Sequence, residues 1–115
     1  MKILTIHCDY LKYRPLKKAL KDAEELKSKE QVEVKEPLAV FIAIEKGDAQ
    51  ATVKELVESV KKTAYEVKAK HIVLYPYAHL SSNLADPSTA RERLAEAEHT
   101  LASEFKVTRA PFGYY

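Results

Sequence analysis

Two short apolar runs and two longer periodic stretches organise this chain. The run Leu38–Ile44, Leu-Ala-Val-Phe-Ile-Ala-Ile, is continuous and rich in β-branched residues. Such a run predicts a strand buried on both faces. His71–Tyr77 reads the same way and stops at Pro76, because proline has no N–H to continue a ladder. Between them, Val53, Leu56, Val57, Val60, Ala64 and Val67 recur at helical spacing, which predicts a helix over Ala49–Lys68 with one buried face. Thr52 and Glu55 have capping-box spacing at its start. Glu45-Lys46-Gly47-Asp48 supplies the turn before it. After a polar loop, Ala78–Asn83, Asp86-Pro87 marks a second helix start, with Asp as cap and Pro at the first helical position. Ala90, Leu94, Ala97 and Leu101 give this helix its buried stripe, to about Ser103.

The flanking segments are less regular. Ile3–His7 predicts a first strand, and Phe105–Arg109 a last one. Gln31–Glu36 alternates apolar and charged residues, as an exposed strand does. After Pro15, Leu16–Lys29 is a thinly amphipathic stretch that predicts either a short helix or a mobile excursion. The order is β, optional α, β, β, α, β, α, β. Strand–helix alternation of this kind predicts a layered α/β domain, its sheet covered by two main helices. In such sheets ligands sit beyond the carboxyl ends of strands. His7-Cys8-Asp9-Tyr10, Glu45-Lys46 and Pro76-Tyr77-Ala78-His79 occupy those places.

Composition narrows the function. A length of 115 residues, 46% hydrophobic and 31% charged, fits one globular domain over residues 1–115. One cysteine, Cys8, excludes an intrachain disulfide and a Cys-rich zinc site. The two glycines, Gly47 and Gly113, are too far apart to write a Walker A loop or a dinucleotide fingerprint. A net charge of +2 does not by itself imply a polyanion partner. Between residues 12 and 29, however, Lys12, Arg14, Lys17, Lys18, Lys21, Lys27 and Lys29 outnumber Asp22, Glu24 and Glu25. That excess is either a solvated face or a patch for phosphate. No apolar run reaches the ~18 residues of a membrane span, and a cytoplasmic location is expected.

Few residues announce chemistry. His79 precedes Ser81 and Ser82, which suggests a base and a nucleophile, but sequence neighbours rarely aim at each other, and serines in loops more often bond backbone. Cys8 lies between His7 and Asp9. Adjacent strand residues point to opposite faces, so Cys8 reads as a small buried side chain rather than a thiolate nucleophile. The cluster has no zinc-ligand spacing, and neither metal nor cofactor is expected. The segment Pro111-Phe112-Gly113-Tyr114-Tyr115 is unusually aromatic. It predicts a core or dimer contact, or the wall of a nucleotide pocket.

Taken together, four segments resemble one family. They are Met1–Tyr10, Ala39–Lys46, Tyr75–Ser82 (Tyr-Pro-Tyr-Ala-His-Leu-Ser-Ser) and Ala110–Tyr115 (Ala-Pro-Phe-Gly-Tyr-Tyr). In this order they resemble the N-terminal editing domain of archaeal threonyl-tRNA synthetases. The last two strings are specific and the apolar strands are not. The resemblance implies a D-aminoacyl-tRNA deacylase-like fold with a mixed β-sheet, a homodimer, and hydrolysis of L-serine from Ser-tRNA(Thr). It implies that the tRNA's terminal ribose 2′-hydroxyl assists the attacking water, so few side chains are strictly essential. The roles it implies are His79 and Tyr115 as catalytic groups, with His79 near the seryl group. Ile44 and Glu45 would read the terminal adenine. Pro76, Tyr77 and Ala78 would line the seryl side, and Phe112, Gly113 and Tyr114 the opposite wall. The partners implied are the 3′ end of the tRNA and the synthetase's catalytic and anticodon-binding domains, with no membrane.

One departure stands out. In the family a Lys and a further strand follow the two tyrosines, whereas this sequence ends at Tyr115; a chain shortened relative to the family is therefore expected. That departure motivates an alternative, a non-catalytic module that binds a tRNA end or nucleotide and dimerises. A third reading, without the resemblance, is a small α/β regulatory domain with no chemistry.

Overall fold

A computed structural model describes residues 1–21, 23, 26 and 30–113. Six strands and two helices follow one another as β1 (Lys2–His7), β2 (Tyr10–Tyr13), β3 (Val32–Lys35), β4 (Leu38–Ala43), α1 (Gln50–Glu66), β5 (His71–Pro76), α2 (Pro87–Leu101) and β6 (Lys106–Arg109). A four-stranded sheet has the order β1-β4-β5-β6. β4, β5 and β6 are parallel, and β1 runs antiparallel to β4 with Leu4 opposite Phe41. The architecture is thus the α/β layering with a mixed sheet that the sequence predicts.

Side-chain alternation divides the sheet into two faces. Leu38, Val40, Ile42 and Ile44 on β4 and just beyond it, with Ile72 and Leu74 on β5, meet the buried faces of α1 and α2 in one core. On α1 that face is Val53, Leu56, Val57, Val60 and Ala64, none more than 4% exposed. Each valine costs up to about 0.7 kcal/mol in helix propensity. Burying one gains roughly 1.5–3 kcal/mol, so packing decides that this segment is helical. Val67, expected on the stripe, is the C-terminal cap and only half-buried.

The helix starts differ in how well sequence foretells them. Asp86 caps α2 as expected: its carboxylate accepts bonds from the Thr89 amide at 3.0 Å and the Thr89 hydroxyl at 2.7 Å, and Pro87 is the first helical residue. At α1 the predicted Thr52–Glu55 box is replaced by one a turn earlier. Ala49 is the cap, and Thr52 Oγ1 accepts its amide at 3.2 Å. The turn before α1 needs Gly47, whose φ is +88°.

The second sheet face carries Ala39, Phe41, Val73 and Tyr75. Here β2 and β3 form a two-stranded antiparallel ribbon. Its alternate residues Leu11, Tyr13, Val32 and Val34 turn inward, Val34 being 4% exposed, and Tyr13 meets Tyr75 edge to face. β3 lies within the predicted Gln31–Glu36, but its buried Val34 shows that the strand is not wholly exposed. Nothing in the short Tyr10–Tyr13 segment predicts β2. Among the described residues of Leu16–Lys29 none is helical, so the excursion is realised there as irregular chain; the rest of that segment, with Lys27 and Lys29, lies outside the described residues. Cys8 is half-buried rather than buried. Among the described residues no helix is long and apolar enough to cross a membrane.

Candidate functional site

Because β4, β5 and β6 are parallel, their carboxyl ends lie at one end of the sheet, and antiparallel β1 brings Met1 to the same end. The segments that follow β4, β5 and β6 therefore lie at that end, with Met1.

The end of β4 is held by a tight polar network. Ser81 Oγ donates to Glu45 Oε2 at 2.6 Å. The Met1 ammonium donates to Glu45 Oε1 at 2.7 Å and to Asp48 Oδ1 at 3.0 Å. Asp48 Oδ2 accepts the Glu45 amide at 2.7 Å. Arg93 on α2 donates to the Asp48 carbonyl at 3.3 Å, tying the network to the helix layer. The bonds from the Met1 ammonium and Ser81 hold the Glu45 carboxyl below the usual carboxylate range. Burial works against the charge on the Met1 amine, but its bonds to Glu45 and Asp48 leave its pKa raised. Ile44, by contrast, is 4% exposed within the core, and its carbonyl accepts the Ala85 amide at 2.9 Å. Both residues given an adenine-reading role thus have their side chains engaged inside the protein.

β5 delivers the histidine. Past Pro76 the Tyr77 amide donates to the Ile42 carbonyl at 2.9 Å, and Ala78–Leu80 forms a single 3-10 turn. Pro76 is half-buried, while Tyr77, Ala78 and His79 are exposed. The His79 ring meets the Tyr77 ring at 5.4 Å between centroids. His79 and Ser81 are not paired: Ser81 Oγ is committed to Glu45 and accepts the Asn83 amide at 3.0 Å. The serine beside the histidine in sequence therefore caps a turn and clamps a strand end.

The segment expected as the opposite wall follows β6. Ala110 donates to the Leu74 carbonyl at 2.9 Å, extending the strand pairing. Phe112 packs against the main core. Gly113 has φ +84°, and its carbonyl accepts the Ala19 amide at 2.7 Å. A Cβ on Gly113 would lie 2.9 Å from Ala23 Cα, so Ala23 rests directly against this glycine. Tyr114 and Tyr115 lie outside the described residues.

Three features of this end escape sequence reading: the Met1–Glu45–Asp48 network, the Glu45–Ser81 bond, and a row of rings. Phe41 meets Tyr75 at 5.3 Å and Tyr77 at 5.8 Å, and so links Tyr13 and Tyr75 to Tyr77 and His79. Strand alternation signals only Tyr75, since β5 ends at Pro76 and His79 lies on a 3-10 turn. Among the described residues no three His, Cys, Asp or Glu side chains cluster as metal ligands. A groove of about 350 Å³ between α1 and α2, lined by Lys54, Glu58, Lys61 and Glu96 among others, contains none of the residues above.

Comparison with known proteins fits this arrangement. Residues 1–115 match the model of the "archaea-specific editing domain of threonyl-tRNA synthetase". The chain is 49% identical over 120 residues to a threonine–tRNA ligase of Methanobrevibacter smithii, covering 100% of this chain and 20% of that protein. It is 48% identical over 121 residues to that of Thermococcus onnurineus, covering 100% and 19%, and 43% identical over 114 residues to that of Nitrosopumilus maritimus, covering 99% and 18%. It spans about a fifth of the length of these curated relatives. Matched along its whole length, and with the histidine-bearing turn at the carboxyl end of a parallel strand, the chain belongs to the archaea-specific editing-domain family of threonyl-tRNA synthetase.

Proposed function

We propose that residues 1–115 act as one post-transfer editing domain that hydrolyses L-serine from Ser-tRNA(Thr). The need is physical. Threonine exceeds serine by one methyl group, and one such contact gives only about 1–3 kcal/mol of discrimination. A second, hydrolytic site removes the smaller residue after transfer. The observation that carries the reading is the exposed His79 on its turn after β5, in a chain matched to this family from end to end.

In the reaction a water oxygen attacks the ester carbonyl carbon, the bond to the ribose 3′ oxygen breaks, and a proton passes to that oxygen as serine leaves. Ser81 is bonded to Glu45, and among the described residues no hydrogen bond joins His79 to Ser81 or Ser82, so no preformed serine–histidine pair stands ready as nucleophile and base. This supports water as the nucleophile, with the terminal ribose 2′-hydroxyl positioning it and His79 holding the seryl group or the water. Tyr77 and Ala78 flank His79. The Gly113 and Tyr114 amides steady the oxyanion, and Tyr115 contacts the reacting end.

A homodimer is favoured by β1, a sheet edge whose Ile3, Leu4 and Ile6 are 38%, 49% and 44% exposed. Exposed apolar edges of this kind invite a partner. The synthetase's catalytic and anticodon-binding parts are further partners, in the cytoplasm where charging occurs. The test is incubation with mischarged and correctly charged tRNA. Release of serine, with threonine spared, is expected; equal and negligible release of both would overturn the reading in favour of a binding module.

A further inference from the structure

The rings of Tyr13, Tyr75, Phe41, Tyr77 and His79 form an unbroken row on the sheet face away from the helices. Successive centroids lie 5.8, 5.3, 5.8 and 5.4 Å apart. We propose that this row is a stacking track for the unpaired nucleotides leading to the 3′ end at His79. The inference rests on the reading that this end of the sheet takes a tRNA terminus, and it adds where the preceding nucleotides run.

Several observations favour RNA as the occupant. Tyr13, Phe41 and Tyr75 are only half-buried, and Tyr77 is 41% exposed, so each of these rings keeps part of its surface accessible. The Tyr13–Tyr75 contact is edge to face at 89°, and Phe41–Tyr77 at 79°; such contacts occupy the edge of one ring and leave a face for another partner. Stacking on aromatic side chains is how single strands are held without sequence readout, because every base has a π-face. Beyond Tyr13, the outer side of the ribbon presents Tyr10, 59% exposed, with Lys12 Nζ 5.3 Å above its ring. Lys2, Lys35 and Lys46 are also exposed near the two ends of the row, as a phosphate backbone requires. The aliphatic Leu4 and Ile6 lie to one side, on β1, where a second copy of the chain fits better than a nucleotide does.

The test follows the side-chain resonances of Tyr13, Phe41 and Tyr75 by NMR while the single-stranded trinucleotide CCA or adenosine is added. CCA is expected to move all three rings and adenosine only the Tyr77–His79 end. Tyr13→Leu and Tyr75→Leu should each weaken CCA about ten-fold while leaving adenosine affinity within two-fold. The proposal is overturned if CCA binds no tighter than adenosine and leaves Tyr13 and Tyr75 unmoved. It is also overturned if those rings respond to protein dilution and not to CCA, which would make the face an interface between copies. Ring shifts with CCA but no release of serine from charged tRNA would uphold the track and refute only the editing reading.

Discussion

Ser81 donates its hydroxyl to Glu45 Oε2 at 2.6 Å across 36 residues of sequence. The bond clamps the loop that follows His79 to the end of β4, and the other Glu45 oxygen is held by the Met1 ammonium. Removing one partner of such a bond leaves the other under-satisfied. Ser81→Ala and Glu45→Gln are therefore expected to lower stability in urea and to slow serine release. The double variant should lose less than the two singles summed, since they share one interaction. Strict additivity would show that the two residues act separately.

His79→Ala is expected to reduce hydrolysis by less than about 100-fold, because a substrate hydroxyl that positions water remains. A loss of about 10²–10⁴-fold, the contribution of general base catalysis, with an intact fold by circular dichroism, would instead assign the proton transfer to His79.

The two glycines are expected to respond differently to alanine. Both have positive φ, +88° at Gly47 and +84° at Gly113, which costs an L-residue about 1–2 kcal/mol. At Gly47 a Cβ meets nothing within 4 Å, whereas at Gly113 it lies 2.9 Å from both the Cα and the Cβ of Ala23. Gly113→Ala must also displace backbone, so it should lower the denaturation midpoint further and impair serine release. Equal midpoints would contradict the close approach of Ala23.

His71 supplies the pH dependence. Burial, with Lys106 nearby, lowers its pKa below 6.5, and its Nε2 lies 2.7 Å from Thr108 Oγ1 across the β5–β6 pair. A depressed histidine pKa means that the folded state binds protons less readily than the unfolded one. The contribution is fully present above about pH 6.5 and is lost as pH falls from there through the folded value. Urea unfolding between pH 7.5 and about 5 should show this decline, and His71→Gln should flatten it. An unchanged slope in the variant would assign the decline to other groups.

Binding of the tRNA should weaken as salt rises, because Lys17, Lys18 and Lys21 are exposed close to Ala19, whose amide bonds the Gly113 carbonyl, and phosphate contacts release counterions. Replacing these three with Gln should shallow the salt slope. A salt-independent affinity would remove the basic stretch from the interface.

Local signals were legible where one interaction dominates. The apolar runs of β4 and β5, the stripe of α1 and the Asp86-Pro87 start are written in adjacent residues, and burial or capping decides each nearly alone. Thr52 shows the limit: its spacing to Glu55 satisfies the capping pattern, but its Oγ1 accepts the Ala49 amide, so it closes a box from the third helical position instead of opening one, on a helix that starts where its periodicity predicts. β2 was illegible because Tyr-Leu-Lys-Tyr has too few alternations to stand out, and it becomes a strand only by pairing with β3.

The sequence by itself determined the family, the α/β class, the two helices and the histidine-bearing loop after β5, since these depend on periodicity and on short strings of residues. Tertiary structure alone decided that Ser81 serves Glu45 rather than His79, that the Ile44 side chain belongs to the core, and that Gly113 is pressed against Ala23. It also joined Tyr13 to Tyr75 and Phe41 in one row of rings. Each of these is a contact between segments distant in sequence. Strand order and the packing of the ribbon on the sheet create them, and no local pattern encodes which distant side chain will arrive.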